Sequence, residues 1–112
     1  TNKEVVVEKV IRDGKVAVLV SPGFGAGWYS WCWQDPKAEA VLFDPDVVAW
    51  VEGGMEGPLP DMEAKHGLDY FYDGGAYDLV VHWVPVGARF RIHEYDGSET
   101  LKFESDEKWV EA

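Results

Sequence analysis

The stretch "EVVVEKVIRDGKVAVLVS", Glu4 to Ser21, decides the fold. Two segments rich in Val and Ile flank Asp13-Gly14, a dipeptide that readily takes the positive backbone angles of a two-residue hairpin turn, so residues 4–11 and 15–21 are expected to pair as antiparallel strands. In the second segment Val16, Val18 and Val20 alternate with Lys15, Ala17 and Leu19. Both faces of that strand are largely apolar, which places it in the centre of a sheet that needs cover on each side.

Outward from this hairpin, Pro22 ends the strand and Gly23, Gly25 and Gly27 exclude regular structure through Ala26. "WYSWCW" follows, with Tyr29, Trp31 and Trp33 alternating against Trp28, Ser30 and Cys32, a pattern that predicts a short strand or a broad loop closed by Asp35-Pro36. "FDPDVVAWVEGG", Phe43 to Gly54, predicts a helix: Asp44 as N-cap, Pro45 at the first position, Asp46 in the first turn and two glycines as the stop. A shorter helix is expected from Asp61 to His66, ending at Gly67. "LVVHWVPV", "ARFRIHEY" and "ETLKF" read as strands, the last two joined at Asp96-Gly97. The expectation is a single α+β domain over residues 1–112: a mainly antiparallel sheet with N- and C-terminal hairpins and one or two short central helices.

Six Trp, five Tyr and five Phe in 112 residues supply much of the core, since each ring buries on the order of 150–250 Å². One cysteine excludes an internal disulfide and fits a reducing compartment. The sequence contains no secretory leader pattern and no apolar run long enough for a membrane span, so the expected location is the cytoplasm.

The formal net charge of −11 is unevenly placed. Residues 1–43 hold five acids and five bases, and residues 44–78 hold nine acids against Lys65 alone. Residues 79–93 carry Arg89 and Arg91 with no acid, and residues 94–112 carry seven acids against Lys102 and Lys108. Such a field repels nucleic acid and anionic lipid and favours a basic protein or a cation. Solubility alone is the competing explanation.

No catalytic constellation stands out. The glycine spacing matches neither the dinucleotide fingerprint nor a P-loop, which would need Gly-Lys-Ser/Thr. No pair among the many carboxylates is singled out as a glycosidase acid and nucleophile. Cys32 lies between two tryptophans without a neighbouring cation, as an inert buried thiol would. His66, His82 and His93 lack the spacing of a zinc site, and "DYFYDGG" lacks the alternating acids and closing Glu of a calcium loop. No metal, no cofactor and no enzymatic activity are therefore expected.

"KVAVLVSPGFGAGWYSW", "LFDPDVV" and "RFRIHEYDGSE" resemble a family of small proteins encoded by tailed phages and prophages, in which Ser-Pro-Gly, an aromatic, Gly-Ala-Gly-Trp and Glu-Tyr-Asp-Gly recur. The resemblance runs from about Val5 to Glu99. It implies a viral setting inside a bacterial host and no catalytic residues. In size and charge the chain also resembles phage inhibitors of host defence, including anti-CRISPR proteins.

Two functional readings follow. In the first, an acidic surface containing Asp46, Glu52, Glu56, Asp61, Glu63, Asp69 and Asp73 occupies a basic, nucleic-acid-binding surface of a host defence protein. In the second, Gly23, Gly25 and Gly27 line a pocket for a nucleotide signal, Trp28 or Tyr29 stacks on its ring, and Arg89 or Arg91 meets its anionic group. A second copy of the chain is a further expected partner, because the doubly apolar central strand requires cover.

Overall fold

A computed structural model describes residues 7–24, 27–32, 34–104 and 112. Five strands form two antiparallel sheets. β1 (Ile11–Arg12), β2 (Lys15–Val20) and β3 (Val80–Pro85) form the first in that order, and β4 (Phe90–Tyr95) and β5 (Ser98–Phe103) form the second. Both hairpin turns arise where Asp-Gly was expected to make them: Asp13 and Gly14 have φ of 51° and 75°, Asp96 and Gly97 of 49° and 82°. Two successive positive φ values twist the chain in the sense that paired strands require. Of the expected first strand, Ile11–Arg12 is strand and residues 7–10 are not. Residues 4–6 lie outside the described residues.

β2 is the central element, paired along its length with β3 and at its start with β1. From Val16 to Val20 every residue is buried. Ala17 and Leu19 join a cluster with Trp28, Val47, Trp50, Met62 and Phe71, while Val16, Val18 and Val20 join a second with Phe43, Phe90, Ile92 and Leu101. Helices and the aromatic segment thus cover one face of β2, and the β4–β5 hairpin covers the other. The chain itself supplies the cover that its two apolar faces demand.

The helices arise where capping chemistry starts them. α1 (Glu39–Leu42) leads into α2 (Pro45–Glu52), and Asp44 between them accepts a hydrogen bond from Val47 N–H at 2.9 Å. α3 (Met62–His66) begins at Asp61, which accepts from Ala64 N–H, and ends at Gly67 in the left-handed region, φ +66°. Arg12 donates two hydrogen bonds to Glu52, at 2.7 and 2.9 Å, tying β1 to the end of α2.

Two expectations are corrected. The segment after Trp28 is no strand: Tyr29–Trp31 forms a 3-10 turn, because three backbone N–H groups in this region are drawn to a side chain instead of a neighbouring strand. Asp35-Pro36 opens structure rather than closing it. Asp35 accepts from Lys37 N–H, and the turns that follow deliver α1, a helix too short for hydrophobic spacing to reveal.

Candidate functional site

The glycine-rich loop and the acidic stretch from Asp69 to Asp78 lie side by side. Ser21 Oγ donates to Gly75 O at 2.7 Å. A Cβ on Gly75 would collide with Gly27 O, and one on Gly23 with the Asp78 carboxylate. Trp28 meets Phe71 edge to face at 4.7 Å between ring centroids, and Trp31 stacks on Tyr72 at 5.2 Å with an interplanar angle of 18°. Neither Gly23 nor Gly27 has a positive φ. Their use is close approach of two chain segments, and Gly25 lies outside the described residues.

One carboxylate holds this loop. Glu99 on β5 is 1 % exposed; its Oε1 accepts from Ser21 N–H at 2.9 Å, and its Oε2 from Trp28 N–H at 2.8 Å, Ser30 N–H at 2.9 Å and Ser30 Oγ at 2.6 Å. Glu99 N–H in turn donates to Ser21 O at 2.9 Å. Burying an ionised carboxylate is costly unless it is fully hydrogen-bonded, and four donors meet that need. The backbone amides thus do converge on an anion as in a phosphate cradle, but the anion is the chain's own side chain. Register gives the signal for Glu99: it shares an inward face with Leu101 and Phe103, an acid where an apolar residue is expected.

A second buried carboxylate anchors the acidic segment. Asp44, with no exposed surface, lies 2.7 Å from His66 Nε2 and 2.8 Å from Lys65 Nζ, which also reaches Asp46 at 2.7 Å. Burial pushes the Asp44 carboxyl up, but hydrogen bonds from Lys65, Val47 N–H and His66 outweigh it and hold the group below the ordinary aspartate range. Burial lowers Lys65, and its two carboxylate partners more than reverse that.

The seven expected acidic residues divide. Asp46 and Glu52 are engaged by Lys65 and Arg12, and Glu56 is exposed in the loop after α2. Asp61, Glu63 and Asp73 line one cavity of about 290 Å³ with Leu59, Pro60, Met62 and Phe71, while Asp69 is exposed beside Tyr70. The aromatic loop divides too. Trp28 is wholly buried and donates its indole N–H to Val41 O at 3.1 Å, so it presents no face to a ligand, and Tyr29 is half-buried. Trp31 is 46 % exposed, and with Phe24, Tyr70, Tyr72 and Tyr77 it forms the set of exposed rings carried by the two adjoining stretches.

Arg89 and Arg91 are not brought to the loop. They project from the face of β4 opposite to the one shared by Phe90 and Ile92, whereas Glu99, which holds the loop, lies on the inner face. Cys32 is half-buried, its Sγ 3.3 Å from Tyr29 O; burial, with Asp35 and Glu99 nearby, pushes the thiol up to about 12. At neutral pH it is a thiol and a poor nucleophile. No group of three metal-ligating side chains occurs among the described residues, and no helix is long and apolar enough to cross a membrane. Comparison with protein-family models, with curated proteins and with solved structures finds no match to this chain.

Proposed function

We propose that this protein is a phage-encoded binding protein that acts without catalysis, by covering a basic, nucleic-acid-binding surface of a bacterial host protein such as a defence effector. The observation that carries the reading is the exposed Trp31–Tyr72 stack set among carboxylates, on a loop fixed from beneath by Glu99. Tyr and Trp are the residues that anchor protein interfaces, and a rigid platform loses little entropy on binding. Asp61, Glu63 and Asp73 border a neighbouring cavity suited to a lysine or arginine side chain. The net charge of −11 adds long-range attraction to such a partner and repels nucleic acid itself.

The test is affinity capture from a bacterial lysate at low ionic strength, followed by competition. The reading expects a basic partner that raised salt releases and that free nucleic acid displaces. A partner indifferent to both salt and nucleic acid overturns it.

A further inference from the structure

The outer face of the β4–β5 hairpin carries the opposite charge from the rest of the molecule. Strand register places Arg91 directly across from Lys102 and His93 across from Thr100, and Glu104 N–H donates to Arg89 O one step further out. Side chains alternate along a strand, so Arg89, Arg91, His93 and Lys102 share the solvent side, while Phe90, Ile92, Leu101 and Phe103 pack inward. Like charges directly opposite on an antiparallel pair weaken it. In a chain so poor in bases, such a placement points to an anion.

A cavity of about 260 Å³ lies at the same place, lined by Arg89, Phe90, Arg91, Lys102, Phe103 and Glu104. It adjoins a second hollow bordered by Gly87 and Ala88, which shares Arg89, Phe103 and Glu104 with it. Arg89 and Glu104 meet at 3.3 Å with both side chains largely in solvent, a pair that a more strongly charged ligand can open at little cost.

We propose that the open end of this hairpin binds a compact organic phosphate, a phosphomonoester whose phosphate is taken by Arg91 and Lys102 with Arg89 beside them and whose organic part rests against Phe90 and Phe103. Guanidinium forks match phosphate oxygens bidentately, and Lys adds a point charge. The cavity is the size of a small metabolite. A nucleic acid strand would have to run on across a strongly negative surface, so the field selects a small anion over a polymer. This site lies on the far side of β2 from α2 and does not depend on the partner surface proposed above.

The experiment is calorimetric titration at low ionic strength with adenosine monophosphate, glucose 6-phosphate, inorganic phosphate and a single-stranded oligonucleotide. It is paired with amide NMR spectra that report where each probe acts. Saturable binding of either phosphomonoester is expected, at least about tenfold tighter than inorganic phosphate. Amide shifts should be confined to residues 87–91 and 101–104. Adenosine monophosphate or glucose 6-phosphate as the tighter ligand tells a base from a sugar. Arg91→Gln and Lys102→Gln, both at exposed positions, should each weaken binding about tenfold or more with the native spectrum otherwise kept. Absence of binding by either ester up to about 10 mM overturns the proposal. So does binding unchanged in both variants, or an oligonucleotide bound as tightly as the monoesters.

Discussion

The carboxylate of Glu99 accepts the backbone N–H of Trp28 at 2.8 Å across a sequence separation of 71 residues. That bond, with those from Ser21 and Ser30, makes one side chain on β5 the internal template for the loop between β2 and α1. Glu99→Gln keeps the shape but replaces one acceptor oxygen with a donor facing donors. It should destabilise the fold by about 2 kcal/mol in chemical denaturation, and Glu99→Ala by more. If Glu99→Gln unfolds at the wild-type denaturant midpoint, the carboxylate is not what holds the loop.

Gly75 is the glycine whose missing side chain is required by packing alone. Its φ of −89° suits any residue, yet an added Cβ would strike Gly27 O and come 2.7 Å from Ser21 Oγ. Backbone cannot yield as a flexible side chain can, so Gly75→Ala should cost about 2 kcal/mol or more. Gly54, at φ +82° with open space around it, offers a contrast: Gly54→Ala should cost about 1 kcal/mol from backbone strain alone. Equal losses at the two positions would show that close approach at Gly75 contributes nothing.

Acid should weaken the protein through Asp44. Its folded carboxyl lies below the ordinary aspartate range, so the folded state binds fewer protons than the unfolded one, and the stabilisation is present above about pH 4 and lost as pH falls further. Lys65 has the opposite sign: raised by its carboxylate partners, it contributes below about pH 10 and is lost on going higher. Asp44→Asn leaves an oxygen to cap α2 but strands Lys65 and His66 at a neutral group, and should cost about 3 kcal/mol at neutral pH. It should also flatten the fall in stability between about pH 5 and pH 2. A variant with an unchanged acid slope would refute the assignment.

Local chemistry made the fold legible and long-range chemistry hid the site. Asp13-Gly14, Asp96-Gly97, Asp44-Pro45 and Gly67 each act within a few residues, so the turns and helix ends can be read directly from the sequence. The double burial of β2 follows from its own composition. The aromatic segment misled because its alternation suggested a strand, whereas its amides answer to Glu99, some 70 residues away. Nor does charge counting reveal that Asp46 and Glu52 are engaged while Asp73 borders a cavity, since Lys65 and Arg12 arrive from other elements.

Cys32 should be slow toward thiol reagents. Burial and two nearby carboxylates push it up to about 12, so less than about one molecule in a thousand is thiolate at pH 8. Labelling with iodoacetamide at that pH should accelerate more than tenfold once denaturant unfolds the chain and the ordinary thiol value near 8.5 returns. A native rate equal to the unfolded rate would mean that the turn around Tyr29 opens freely.

The Trp31–Tyr72 stack separates binding from folding. Both rings are substantially exposed, and neither belongs to the two buried clusters. Trp31→Ala and Tyr72→Ala should each shift stability by only about 1 kcal/mol, the worth of one aromatic pair. Affinity for the captured basic partner should fall by about 2 kcal/mol or more in each, because an interface anchor carries far more energy than a rim contact. The double variant should lose less than the sum of the single losses, since removing either ring already dismantles the stack that the other needs. Partner affinity unchanged in both single variants would place the contact surface elsewhere on the acidic face.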